Sequence, residues 1–150
     1  MRPRLGLAIA TVCGVGYAPI APGTWGSAAG LVLWWLLPAS PMVQGLAIVV
    51  IFVAGSWGSS VAERHFGRTD PSQVVIDEVM GMLITLFLNP VGVRGALAGF
   101  LLFRIFDVIK PYPVNRLEQL HGGVGVMADD AMAGVYANLV LRAARYWVIW

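Results

Sequence analysis

Five of the eight acidic residues lie in three short stretches of otherwise apolar sequence: Asp77, Glu78, Asp107, Asp129 and Asp130. Carboxylates are costly beside lipid or in a dry core unless they are paired or bound to a metal. If the three stretches converge, their oxygen atoms could hold one or two divalent cations. Mg²⁺ is the predicted ion, because it accepts a few carboxylates together with water and phosphate oxygens.

Each acidic residue also has an ordinary structural interpretation. Asp129 or Asp130 could cap the N-terminus of a helix. Asp107 could pair with Arg104 or Lys110 along its own helix, and Glu78 could face water. These alternatives remain open for each residue alone, but they explain all five together less well than a shared metal site does.

Basic residues beside the acidic ones suggest that the ligand is a phosphate. Arg104 lies three residues before Asp107 and Lys110 three residues after it, so both are neighbours of Asp107 on a helix. Arginine can bind phosphate through two parallel hydrogen bonds, and lysine acts as a point charge. His121 could serve as an acid, a base or a phosphate donor, or it could simply be a loop histidine facing water.

A glycine- and proline-rich segment from residue 14 to residue 27 could provide further phosphate ligands. Gly23 permits close approach to the backbone, while Thr24 and Ser27 offer hydroxyl groups near a helix N-terminus. The segment lacks the Gly-Lys-Ser/Thr sequence of a P-loop. A buried turn between packed helices is therefore the alternative interpretation.

The composition is typical of an integral membrane protein. Hydrophobic residues form 58% of the 150 residues, charged residues form 12%, and the mean hydropathy is +0.75. No polar linker or repeat divides the chain, so residues 1–150 are predicted to form one domain. The net charge of +2 is too small to suggest nucleic-acid binding, and the single cysteine, Cys13, excludes an internal disulfide.

The apolar segments predict an all-α bundle with short or re-entrant helices. Prolines and other turn signals separate the segments, and Asp70-Pro71 is typical of a helix start. The predicted helices are 25–37, 42–61, 71–88, 93–108 and about 130–150. Residues 42–61 would be roughly 30 Å long, enough to cross a bilayer, whereas the apolar parts of the next two helices, about 10 to 16 residues each, are shorter than a comfortable span.

The basic residues predict the orientation. Arg2 and Arg4 precede the first helical hairpin, Arg64 and Arg68 follow it, and the turn between its helices carries no charge. The positive-inside rule then puts the acidic residues at the cytoplasmic face of the membrane. Arg142 and Arg145 leave open whether the last helix crosses the membrane. Small residues at 45, 55, 58 and 59 favour close helix packing, within the chain or in a homo-oligomer.

Four ordered motifs across about residues 6–140 resemble the phosphatidylglycerophosphatase A family. They are GVGYAPIAPGTWGS (14–27), IDEVMGM (76–82), FRIFDVIKPYP (103–113) and GGVGVMADDAMAG (122–134). Tyr112 stands where tryptophan is expected. The resemblance implies an all-helical enzyme of the bacterial inner membrane that requires Mg²⁺. Its phospholipid substrate would be phosphatidylglycerophosphate, and its products phosphatidylglycerol and phosphate.

The residues leave two other functions open. A phosphatidyltransferase acting on CDP-alcohols also clusters aspartates on membrane helices, although its extended Asp-x-x-Asp-Gly-x-x-Ala-Arg pattern is absent here. A non-enzymatic cation-binding membrane protein would also need acidic residues. Within the phosphatase interpretation, attack by water and attack by an aspartate through an aspartyl-phosphate both remain open.

Overall fold

The described part of the chain is helical. The computed structural model describes residues 2–117, 120 and 122–147, and no strand occurs among them. The helices are α1 Arg2–Ala10, α2 Pro22–Leu36, α3 Pro41–Phe66, α4 Ile76–Leu86, α5 Val93–Ile109, α6 Val114–Leu117 and α7 Gly123–Ala144. A single 3₁₀ turn, Val15–Tyr17, precedes α2. The all-α prediction is confirmed.

Helix α4 is the centre of the bundle. Nine of its eleven residues are buried, and it packs against α2, α3, α5 and α7. Two apolar clusters surround it, one including Met80 and Met127 and the other including Leu86 and Phe103. The end of α4 is fastened by Asn138, whose Nδ2 donates to the carbonyls of Ile84, Thr85 and Phe87.

Glycines allow this central helix to approach its neighbours closely. A methyl group on Gly134 of α7 would lie 2.6 Å from the carbonyl oxygen of Gly81 on α4. A methyl group on Gly81 would collide with the ring of Phe103. Because no side chain intervenes, the backbones of α4 and α7 come together directly, and the acidic residues near their N-termini come with them.

The predicted start of α4 at Asp70-Pro71 was wrong. Asp70 has a left-handed conformation with φ of 44°, and the helix begins only at Ile76. The residues before Ile76 do not continue the helix, and the Val75 amide instead donates to the Ala10 carbonyl of α1 at 2.9 Å. Residues 67–75 therefore form a loop beside the acidic residues.

The predicted start of the last helix at Asp130 was also wrong. Helix α7 begins at Gly123, so Asp129 and Asp130 lie inside it, about two turns from its N-terminus, and do not cap it. Glycine makes this longer helix possible, because a methyl group on Gly123 would collide with the Ser56 carbonyl of α3.

Two helices, α3 and α7, are long and apolar enough to cross a membrane. Only 22% of the apolar stretch of α3 is buried within the protein, so most of its apolar surface faces outward, as expected beside lipid. Its outward-facing apolar residues include Met42, Leu46, Val49, Val53 and Trp57. Helix α4, with 11 residues, is about 16 Å long and cannot cross a bilayer.

The close packing of α4 and α7 predicts a specific effect on stability. We expect Gly134→Ala to lower the free energy of unfolding by about 1–3 kcal/mol, because the added methyl group overpacks against the α4 backbone. Unfolding in detergent, followed by circular dichroism, measures this change. The control is Gly45→Ala on α3, where the new methyl group would be 3.7 Å from Phe87. That control should be neutral or slightly stabilising, and equal destabilisation of both variants would contradict the packing argument.

Candidate active site

One cavity of about 330 Å³ brings together most of the predicted site residues. Helices α2, α4, α5 and α7 and the loop after α3 surround it, and we call it the acidic cavity. The predicted residues that line it are Gly23, Asp77, Glu78, Arg104, Asp107, Lys110, Asp129 and Asp130. Residues separated by more than 100 positions in the sequence therefore face one space.

Three of the carboxyl groups are close enough to share one ion. Asp77, Glu78 and Asp130 each offer an oxygen within 4.8 Å of the others. Among the described residues, no hydrogen-bond partner reaches three of their buried oxygens, Asp77 Oδ1, Glu78 Oε2 and Asp130 Oδ2. Buried oxygens without a partner are costly, and a divalent cation would satisfy all three. The all-oxygen ligand set therefore fits a hard cation such as Mg²⁺.

The electrostatics of α4 agree with this fit. Burial raises the pKa of Asp77 well above its usual value, and the neighbouring charge of Glu78 raises it further. Burial, followed by the charge of Asp130, raises the pKa of Glu78 to about 8. Both shifts have the same cause, because negative charges that lie close together and are poorly solvated oppose one another's ionisation.

The other two acidic residues contact basic residues. Asp107 Oδ2 lies 2.6 Å from Arg104 Nη1, and Asp129 Oδ2 lies 2.6 Å from Lys110 Nζ. The spacing of Arg104 and Asp107 along α5 had suggested this pair as the alternative to metal binding by Asp107. Arg104 also reaches toward Glu78 Oε1, at 3.9 Å. The charged side chains of Arg104 and Lys110 are thus held at the cavity by carboxylates.

The N-terminus of α2 forms the remaining wall. A methyl group on Gly23 would collide with Glu78 Oε1 and lie 3.1 Å from Arg104 Nη1, so glycine leaves room for both charged groups. The Ser27 hydroxyl is fully buried and donates to the Gly23 carbonyl at 2.9 Å. Arg104 Nη1 makes a long contact of 3.5 Å with the same hydroxyl oxygen. Ser27 therefore packs behind this wall and does not itself line the acidic cavity.

The roles predicted for Thr24 and His121 are not tested by the described cavity. Thr24 is exposed and does not line the acidic cavity, so its role in phosphate binding stays a prediction. His121 lies outside the described residues. Its proposed role as an acid, base or phosphate donor also stays a prediction.

The cavity has lining residues that the sequence analysis did not identify. They are Ala21, Pro22, Asp70, Ser72 and Val74. Asp70 is the most informative, because its pairing with Pro71 was interpreted as a helix start when the residue in fact belongs to the loop over the cavity. Its left-handed backbone could not be recognised from sequence.

Comparison with known proteins identifies the family of this chain. The family model described as phosphatidylglycerophosphatase A matches residues 8–145, nearly the whole chain. The chain belongs to the phosphatidylglycerophosphatase A family. It is therefore a phosphatase, and this assignment replaces the phosphatidyltransferase and the non-enzymatic cation-binding protein as interpretations of the acidic residues.

Three curated relatives of this chain come from three bacteria. A Bacteroides thetaiotaomicron protein named "Putative phosphatidylinositol-3-phosphatase" is 42% identical, over 99% of this chain and 98% of its own length. Proteins named phosphatidylglycerophosphatase A from Haemophilus influenzae and Escherichia coli are 37% and 35% identical. They cover 91% and 89% of this chain, and 86% and 80% of their own lengths. No solved structure matches the chain.

The wall formed by Gly23 predicts an effect on activity. We expect Gly23→Ala to lower the rate of phosphate release at least roughly tenfold, because the added methyl group displaces the Glu78 carboxylate and the Arg104 guanidinium. Phosphate release from a lipid phosphate monoester measures the change. The same control, Gly45→Ala, should retain activity, and full activity in Gly23→Ala would contradict the proposed wall.

Proposed function

We propose that this protein is a Mg²⁺-dependent hydrolase of the bacterial inner membrane that converts phosphatidylglycerophosphate to phosphatidylglycerol and phosphate. The observation that carries the proposal is the acidic cavity, where three buried carboxyl groups with unpartnered oxygens lie beside Arg104 and Lys110. The two relatives named phosphatidylglycerophosphatase A support the choice of substrate.

The five acidic residues would have two different roles. Asp77, Glu78 and Asp130 would hold the cation, because their oxygens are close together and buried without other partners. Asp107 and Asp129 were also predicted as ligands. Since each lies 2.6 Å from a cationic side chain, we propose that they mainly orient Arg104 and Lys110.

The proposed reaction is hydrolysis of a phosphate monoester. The bond between phosphorus and the headgroup oxygen breaks, a bond forms between phosphorus and the attacking oxygen, and the departing oxygen takes up a proton. When bound, Mg²⁺ neutralises phosphate charge and lowers the pKa of water. Arg104 and Lys110 would stabilise charge on the phosphoryl oxygens. Water would supply the attacking oxygen directly, or a cavity aspartate would supply it and water would then hydrolyse the aspartyl-phosphate to release phosphate. Trapping a phosphorylated aspartate would reject direct attack by water.

The proposed orientation puts the acidic cavity at the cytoplasmic surface. Supporting it, Arg4 on α1, Arg64 near the end of α3 and Arg68 in the following loop lie at the same end of the bundle as the acidic cavity. The phosphate headgroup of a lipid would reach the cavity from the surface of that leaflet.

The metal proposal predicts a loss of activity in three variants. We expect chelation to abolish phosphate release and added Mg²⁺ to restore it. Asp77→Asn, Glu78→Gln and Asp130→Asn should each lower the rate on the order of 100-fold, since each removes a cation ligand. The matched control is Glu63→Gln on α3, because Glu63 is acidic but lies outside the three-carboxyl group. Wild-type activity in all three variants would contradict the site.

The substrate proposal is tested against the activity in the name of the Bacteroides thetaiotaomicron relative. We expect kcat/KM for phosphatidylglycerophosphate to exceed the values for phosphatidylinositol 3-phosphate and phosphatidic acid in the same detergent. Phosphate release from each lipid by the purified protein is the measurement. A higher kcat/KM for phosphatidylinositol 3-phosphate would instead assign this chain the activity in that relative's name.

A further inference from the structure

A second cavity, of about 280 Å³, lies at the opposite end of the bundle from the acidic cavity. We call it the distal cavity, and its lining includes Trp34 near the end of α2, Gln44 near the start of α3, and Leu86, Leu88 and Asn89 at the end of α4. Asp77 and Asn89 are separated by 12 positions, with α4 between them, which corresponds to roughly 16–18 Å. The two cavities are therefore distinct.

Two residues that line the distal cavity, Trp34 and Asn89, each have a buried polar atom without a partner among the described residues. Asn89 is only 2% exposed, and its Nδ2 donates to the Thr85 carbonyl at 3.2 Å. Its Oδ1 and the Trp34 Nε1 are both buried and have no hydrogen-bond partner among the described residues. Buried polar groups are normally satisfied, so these two atoms indicate a ligand.

The chemistry of the two atoms indicates which group the ligand carries. The indole N–H needs an acceptor, and the amide oxygen needs a donor. A hydroxyl group supplies both. No lining residue of the distal cavity is charged, and Leu86, Leu88 and two prolines form apolar walls, so the hydroxyl belongs to an amphiphilic molecule.

A neighbouring cavity of about 260 Å³ offers a site for an anion. It shares Leu88 with the distal cavity, and its other lining residues are Arg142, Arg145 and Tyr146. The sequence has no aspartate or glutamate before residue 63, between residues 79 and 106, or after residue 130. This end of the bundle is therefore positive, and two guanidinium groups suit a phosphodiester.

We infer that the distal cavity and the neighbouring arginine cavity together bind the headgroup of an anionic phospholipid with a free hydroxyl. The hydroxyl lies between Trp34 Nε1 and Asn89 Oδ1, and the phosphodiester faces Arg142 and Arg145. The acyl chains follow the exposed apolar surface of Leu36 and Met42. Because this site is distant from the acidic cavity, lipid binding here can be lost while phosphate release is retained.

Two synthetic lipids test the hydroxyl contact. Dioctanoyl phosphatidylglycerol and dioctanoyl phosphatidylpropanol carry the same phosphodiester charge, but only the first has headgroup hydroxyls. We expect the wild type, titrated in non-ionic detergent, to bind phosphatidylglycerol roughly threefold to tenfold more tightly. Trp34→Phe should abolish this preference and retain phosphatase activity, whereas Trp35→Phe, the adjacent control, should keep both.

Charge variants and a soluble competitor test the remaining contacts. The Arg142→Gln/Arg145→Gln double variant should weaken binding of both lipids equally, while Arg94→Gln, an exposed arginine at the same end, should not. Millimolar glycerol 3-phosphate should fail to displace the lipid. Equal binding of the two lipids by the wild type would mean that water alone satisfies the two atoms and would overturn the inference. Identical behaviour of Trp34→Phe and Trp35→Phe, or displacement by glycerol 3-phosphate, would also overturn it.

Discussion

The contact between α4 and α7 brings together carboxyl groups that repel one another. Asp77 and Glu78 lie in the first turn of α4, and Asp130 lies about two turns into α7. Their oxygens come within 4.8 Å because Gly81 and Gly134 let the two backbones meet. Apolar packing around Met80, Phe103 and Met127 stabilises an arrangement that the charges alone would oppose. A cation at this point would turn that repulsion into binding.

Two other glycines determine which groups surround the proposed ion. Gly23 leaves space for Glu78 and Arg104, and Gly123 lets α7 begin against α3, two turns before Asp130. Arg104 and Lys110 then reach the cavity from the end of α5 through their contacts with Asp107 and Asp129. The site is thus built mainly from helix positions, apart from Lys110 at the end of α5 and Asp70 and its neighbours in the loop after α3. Such rigid placement suits the positioning of a phosphate.

Charge is distributed very unevenly between the two ends of the bundle. Every described acidic residue lies toward the end that contains the acidic cavity, whereas Arg94, Arg142 and Arg145 lie toward the other. Between these ends, α3 exposes a largely apolar surface. The apolar middle is what a bilayer requires, and the two ends differ enough in chemistry to bind different parts of lipid molecules.

The helical class, the apolar helices that could cross a membrane and most residues of the acidic cavity were predictable from local sequence. Apolar segments broken by prolines are local signals, and Asp77, Glu78, Asp107, Asp129 and Asp130 are conspicuous in apolar surroundings. Which of them share an ion-sized space, and which contact Arg104 or Lys110, depends on how the helices pack. The tertiary structure also corrected the starts of α4 and α7. Both starts depend on contacts between distant segments, at the left-handed turn of Asp70 and where Gly123 packs against Ser56. A local sequence pattern does not predict such contacts.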